Sequence, residues 1–189
     1  MSASDLNVPG FYGKIPTAGD FVSRRLAAGF VRPWDRWVAR HVQPVIGTQL
    51  WPGAAALRFL SGPASFGPAA GVVVASNDRS GRRFPLCLAV ILPRASIELA
   101  SSGDCWFASL EEVGASAREG TLTPEELETA LARIPVPPGN ARSEEIHGMM
   151  VWTACSDIFD IDTDAPRAVL GEVFAARERR KSRTIRKTP

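Results

Sequence analysis

The chain has 189 residues, about one domain's worth, and its 45% hydrophobic and 22% charged content suffices for a folded core. That excludes a multidomain machine and wholesale disorder. The 22 Lys and Arg almost balance 20 Asp and Glu, which excludes a polyelectrolyte as a whole, yet residues 177–189 hold seven basic groups against one acid. An acidic body carrying a basic tail is the fitting description, so we divide the chain into a domain over 1–176 and a tail over 177–189 that is expected to be flexible.

Met1 to Val8 lacks the basic and apolar regions of a signal peptide, and no apolar run reaches the ~20 residues that span a bilayer. Cytoplasmic localisation without membrane insertion is expected. Gly10–Ile15 reads as a first strand closed by Pro16, with Thr17-Ala18-Gly19-Asp20 as the turn after it. From Pro33 onward Trp34, Trp37, Val38, His41, Val42, Val45 and Ile46 recur at the spacing of one helix face, and Pro33 fits the first turn. Arg32, Arg36 and Arg40 line the other side four apart, and Pro44 is expected to end or kink this helix.

Four apolar runs then predict strands: 56–60, 71–76, 86–92 and 149–153. Val72-Val73-Val74 and Leu88-Ala89-Val90-Ile91-Leu92 are apolar on both faces, as strands covered from two sides are. Asn77-Asp78-Arg79-Ser80-Gly81 between two of these runs predicts an antiparallel hairpin with a long loop. Trp106, Leu110, Val113 and Ala117 form a helical stripe. In the next helix Thr123 can cap, Pro124 fills the first turn, Glu126 completes a capping box and Leu122 can staple onto Leu127. A surface loop is expected from Ile134 through Glu145, and a last helix from about Pro166 through Phe174 that continues or frays into the tail. Strands between helices, with a hairpin inside, predict an α/β protein with a mixed sheet covered on two faces.

Little in this order suggests catalysis. Gly10, Gly13, Lys14 and Gly19 match neither phosphate-binding fingerprint. Cys87, Cys105 and Cys155 are odd in number and far apart, so no disulfide framework is expected, and each reads as a core or near-core residue. Only Cys155 has the strand-end placement that functional sites favour, and no GxSxG elbow accompanies it. His41 and His147 are too few for a multi-histidine metal site, and Asp157, Asp160, Asp162 and Asp164 lack the glycine and glutamate of a calcium loop. No metal, cofactor or catalytic residue is expected. The basic tail lacks the interleaved aromatics of single-strand binders, so nucleic acid is not an expected partner.

Four segments carry a resemblance: Gly10-Phe11-Tyr12-Gly13-Lys14-Ile15-Pro16, Gly19-Asp20-Phe21-Val22, Phe30-Val31-Arg32-Pro33-Trp34-Asp35-Arg36-Trp37 and Asp78-Arg79-Ser80-Gly81-Arg82-Arg83-Phe84-Pro85-Leu86. In this order and spacing they resemble the TagF family, bacterial proteins associated with the type VI secretion system, over roughly residues 8–155. The resemblance implies a single-domain, three-layer α/β/α sandwich and a cytoplasmic accessory protein that represses the secretion apparatus after translation. It implies a link to a forkhead-associated scaffold protein, operating beside or independently of a threonine kinase and phosphatase pathway. Some relatives are fused to a PppA-type phosphatase domain; this chain has no room for one and lacks its paired aspartates, so phosphatase activity is not carried over. Matching positions expected to hold the fold are Gly13, Pro16, Gly19, Phe21, Trp34, Asp35, Trp37, Gly81, Phe84 and Pro85, with Phe21, Trp34, Trp37 and Phe84 supplying core area.

The expected function is therefore that of a non-enzymatic regulator that occupies a partner surface. Its expected binding residues are Lys14, Asp20, Arg32, Arg36, Arg40, Asp78, Arg79, Arg82 and Arg83, on two loops and one helix flank. A small-ligand sensor or hydrolase-like enzyme using a strand-end pocket near Asp20 and Asp78 is the alternative, since paired carboxylates beside arginines can do acid–base work. Nucleic-acid binding through the tail is a weaker third.

Overall fold

A computed structural model describes residues 8–48, 50–137 and 143–185. Its strands are β1 (Gly10–Gly13), β2 (Val22–Arg24), β3 (Ala56–Ser61), β4 (Ala69–Asn77), β5 (Arg83–Ile91), β6 (Met149–Trp152) and β7 (Phe159–Ile161). They form one sheet in the order β2-β1-β5-β4-β3-β6-β7. Every pairing among the described residues is antiparallel, which corrects the expectation of a mixed sheet. The reason is connectivity. Short links join β1 to β2, β3 to β4, β4 to β5 and β6 to β7, and short links make antiparallel neighbours. The helix-bearing links instead deliver strands to distant places, so that β2 and β3 are separated by β1, β5 and β4.

The helices are α1 (Ala28–Trp37), continued by a π-helical segment over Val38–Val42, then α2 (Ile97–Ser102), α3 (Asp104–Arg118), α4 (Pro124–Ala132) and α5 (Arg167–Ile185). The chain is thus an α/β protein. Two apolar clusters meet at the sheet because strand side chains alternate. Along β5, Leu86, Leu88 and Val90 join Phe107, Leu110, Leu127 and Leu131 of α3 and α4, whereas Cys87 and Ala89 join Phe30, Trp34, Trp37, Trp51 and Phe174. This is why the central strands are apolar on both faces. Trp34 is fully buried against Phe30, Phe59 and Phe66, with ring centroids 4.6–5.3 Å away; each such pair contributes about 0.5–1.5 kcal/mol beyond its buried area.

Glycine permits several close approaches, and two of them involve β4 and α3. A Cβ on Gly71 in β4 would lie 2.2 Å from the Leu88 carbonyl oxygen, and one on Gly114 in α3 would lie 3.1 Å from Val74 and 3.2 Å from Leu88. Helix α3 therefore rests directly on the sheet. At the start of α4 the capping box forms as expected: the Glu126 N–H donates to Thr123 Oγ1, and the Thr123 N–H donates to Glu126 Oε2 at 2.8 Å. Beneath α3, Arg58 of β3 is 3% exposed, donates to Asp104 and Glu111, and lies over the Phe107 ring.

Several local expectations change. Helix α1 begins five residues before Pro33, placing that proline inside the helix. The lost hydrogen bond falls at an exposed stretch, where water can reach the Gly29 carbonyl, so the usual penalty is softened. The sequence Ala27-Ala28-Gly29 hides this start, because it has no side-chain cap. Strands β2 and β7 and helix α2 are too short for periodicity to find. Cys105 is exposed rather than near-core, because it sits in the first turn of α3 beside Asp104. In the expected 134–145 loop, residues 138–142 lie outside the described residues, while Ile97 N–H donates to the Glu144 carbonyl and Ser96 bridges Glu145. The backbone of α5 is helical through Ile185.

Candidate functional site

The four segments that carry the resemblance converge at one end of the sheet. Tyr12 of β1 donates its hydroxyl to Asp35 Oδ1 at 2.7 Å, tying the sheet to α1. Burial, and then the Asp35 carboxylate, push the Tyr12 phenol well above its ordinary range, so it stays protonated and remains a donor. Phe21 stacks on Tyr12 at 5.6 Å and meets Phe84 edge-on at 5.9 Å. The Lys14 ammonium lies 5.0 Å from the Phe21 ring centre and 4.4 Å from that of Phe84, and the Arg82 guanidinium lies 5.9 Å from Phe84. Both distances for Lys14 are within cation–π range.

Across from these rings the π-helical segment forms a second wall. Its wider turn closes on Gln43, whose N–H donates to the Val38 carbonyl at 2.8 Å, and Gln43 Nε2 donates to the Arg83 carbonyl at 2.7 Å. The segment is thereby stitched to β5, in the kind of place where π-bulges accompany function. Between the walls lies a cleft of about 140 Å³ lined by Tyr12, Phe21, Trp34, Asp35, Val38, Ala39, Gln43, Phe84, Pro85 and Cys87. Its lining is mostly apolar. Phe21, expected in the core, is 44% exposed at the cleft, and Phe84 is only half-buried. Trp34 and Trp37 are buried as expected.

The hairpin loop beside the cleft is held by Asp78, which is buried. Its Oδ1 accepts from the N–H groups of Ser80 (2.8 Å) and Arg82 (3.0 Å), and its Oδ2 accepts from the Arg82 guanidinium at 2.7–2.8 Å. Burial works against the Asp78 charge, but the Arg82 N–H and guanidinium and the Ser80 N–H outweigh it, and the carboxyl is held below its usual range. Gly81 completes the turn with φ +77, a left-handed conformation that favours glycine. Arg79 reaches across to the Thr17 carbonyl at 3.4 Å, which joins this loop to the 14–20 loop containing Pro16 and the exposed Gly19 and Asp20. Gly13 permits the close pass of β1 over β5, where a Cβ would lie 2.6 Å from the Pro85 carbonyl oxygen. Arg32, Arg36, Arg40 and Arg83 are exposed.

Of the expected binding residues, the structure brings Lys14, Arg79, Arg82 and Arg83 to this end of the sheet, with Arg32, Arg36 and Arg40 on the helix that walls the cleft. Asp20 and Asp78 have different partners. Asp78 is consumed by its own loop, and Asp20 accepts from the Phe21 N–H at 2.7 Å. Neither lines the cleft. The wall residues Tyr12, Val38, Ala39, Gln43 and Cys87 were not among the expected site residues. The chain's single tyrosine, followed two residues later by Lys14, was the available signal; the π turn left none. Burial pushes the Cys87 thiol upward, so it is a poor nucleophile, and His41 lies against Trp37 outside the cleft lining. The mostly apolar lining is suited to holding an apolar group. A second, more polar cavity of about 270 Å³ lies at the same sheet end between Trp51, Asn77, Arg83 and Arg118.

Among the described residues no helix is long and apolar enough to cross a membrane, and no cluster of three or more His, Cys, Asp or Glu is placed to hold a metal. A family model described as "TagF N-terminal domain, Type VI secretion system-associated" matches residues 10–134. The crystal structure of PA0076 from Pseudomonas aeruginosa PAO1 is similar, at 29% sequence identity and a TM-score of 0.68, over 88% of this chain and 93% of that one. No curated protein matches.

Proposed function

Because the chain belongs to the TagF N-terminal domain family, which is associated with type VI secretion, we propose that it is a cytoplasmic, non-enzymatic regulator that represses the secretion apparatus after translation. It acts by binding a forkhead-associated scaffold protein or another secretion component. Such a repressor works by population shift: it must bind an assembly-incompetent state of its partner better than the competent one. We likewise take the architecture to be a three-layer α/β/α sandwich, with α1 and α5 contributing to one apolar cluster and α3 and α4 to the other.

The observation that carries the proposal is the family match over the very segments that build one surface: the cleft, the 14–20 loop and the Asp78 hairpin loop. Support for binding over catalysis comes from the chemistry there, since Tyr12 and Cys87 are both held protonated and Asp78 is locked by Arg82. The cleft, at about 140 Å³, also falls below the ~300 Å³ at which small-molecule sites begin, which weighs against a small-molecule ligand in it.

The test is a secretion assay in the native host. Overproduction of the chain is expected to suppress release of a type VI substrate without lowering the level of the secretion proteins, and deletion to raise it. Co-precipitation of the scaffold is expected to fall when Lys14, Arg79 and Arg82 are replaced by alanine. Unchanged secretion under both overproduction and deletion overturns the repressor proposal.

A further inference from the structure

We propose that the cleft between α1 and β5 docks a single apolar side chain presented by an acidic segment of a partner protein. This rests on the proposal that the chain acts by binding a partner, and it specifies the partner's chemistry.

Three observations carry it. First, the cleft is open and apolar with a partly exposed aromatic at its edge: Phe21 is the sole aromatic among the large hydrophobics left exposed in the described residues, beside Leu50 and Ile158. A space of about 140 Å³ matches one side chain better than a whole small-molecule ligand. Buried aromatic and aliphatic anchors in such pockets are the usual centres of binding energy.

Second, the surroundings are basic although the body is acidic. The body, residues 1–176, has 15 basic and 19 acidic residues, and the two loops and helix flank around the cleft take seven of the former and three of the latter. One of those three acids is offset by a cation, Asp78 by Arg82; Asp35 bonds the uncharged Tyr12 hydroxyl and stays on the acidic side of the sum. What remains is six cations, exposed Arg36, Arg40 and Arg83 among them, against Asp20 and Asp35, a net positive field that attracts an acidic chain and repels a basic one.

Third, the walls are fixed before anything binds. Gln43 is bonded to the Arg83 carbonyl and Tyr12 to Asp35, so little ordering cost remains to be met on docking.

The experiment pans a randomised phage-displayed dodecapeptide library against the full chain, then measures selected peptides by fluorescence anisotropy. Enriched peptides are expected to carry one large apolar residue and net negative charge. Their affinity is expected to fall at least about tenfold with Ala39→Trp, which fills the cleft, and with Phe21→Ala, whose exposed ring can be removed without opening the core. The double reversal Lys14→Glu with Arg40→Glu is expected to weaken binding and flatten its salt dependence. Circular dichroism establishes that each variant is folded; should Ala39→Trp fail, Phe21→Ala and the charge reversal decide. An absence of enrichment, enrichment of basic or wholly polar peptides, or affinities indifferent to the variants overturns the docking proposal. The secretion assay is independent of this outcome. Cleft-dependent acidic peptides with unchanged secretion would sink the repressor proposal alone, and repression without such peptides would sink the docking proposal alone.

Discussion

Asp78 and Cys87 show how little a residue's type says about its work until its neighbours are known. Both have the chemistry of a site, and both are spent on structure. The Asp78 carboxyl is held below its ordinary value of 3.8 by the Arg82 and Ser80 donors in spite of burial. A depressed carboxyl contributes stability that is fully present above its unfolded value and is lost as pH falls through its folded one. Asp78→Asn should therefore melt below the wild type at neutral pH, with the gap closing under acid conditions below the ordinary carboxylate range. Melting temperatures of both proteins across that range check this, and a gap independent of pH would refute it. Among the thiols, Cys105 is exposed, whereas Cys87 is buried and its thiol is shifted upward. A thiol reagent at neutral pH is expected to modify Cys105 in the native protein and Cys87 only after unfolding, as peptide mapping would report. From sequence alone all three cysteines read as core or near-core; the fold leaves Cys87 buried, Cys155 half-buried and Cys105 exposed.

At the scale of elements, α3 is set by its distance from β4. Gly114 faces Val74 and Leu88 so closely that an added Cβ would need its neighbours to yield by a few tenths of an ångström. Alanine there gains about 1 kcal/mol of helix propensity and gives back a similar amount in contact, so Gly114→Ala is expected to stay within about 1 kcal/mol of the wild type. Gly114→Leu has no such offset and is expected to cost about 1–3 kcal/mol by lifting the helix off the sheet. Thr123→Ala removes the acceptor for the Glu126 N–H and is expected to cost about 1 kcal/mol. Denaturant unfolding measures all three. The two helices differ in legibility for a physical reason. The α4 cap is made by residues three apart in sequence, so it can be read there. The start of α1 has no cap, and its tolerance of Pro33 depends on solvent at Gly29, so neither can.

Across the whole molecule, one charge lies under α3. Arg58 of β3 is 3% exposed between Asp104, which is 79% exposed, and Glu111. Replacing the buried cation with an apolar chain, as in Arg58→Met, leaves acids that water can reach. Glu111→Leu instead strands the cation. We expect the latter to be the more destabilising by roughly 1–3 kcal/mol, less than a wholly uncompensated buried charge would cost because Asp104 remains. Equal stabilities in denaturant titrations would refute that ordering.

Local chemistry, repeated along the chain, was enough to determine the α/β class, the central strands buried on both faces, the hairpin at Asp78, the capped helix at Thr123 and the family. Each depends on residues a few positions apart, where hydrophobic period, turn composition and motif spacing act directly. The tertiary structure alone decided the antiparallel sheet, since that follows from which strands become neighbours. It alone moved Phe21 out to the surface, where Tyr12 and Lys14 from one segment and Phe84 from another hold it. The cleft exists for the same reason: one wall comes from a π turn near residue 40 and the other from strands some thirty residues before and some forty-five after it. Groups that far apart in sequence have no local signal, and their chemistry appears only when the fold sets them within a few ångströms of one another.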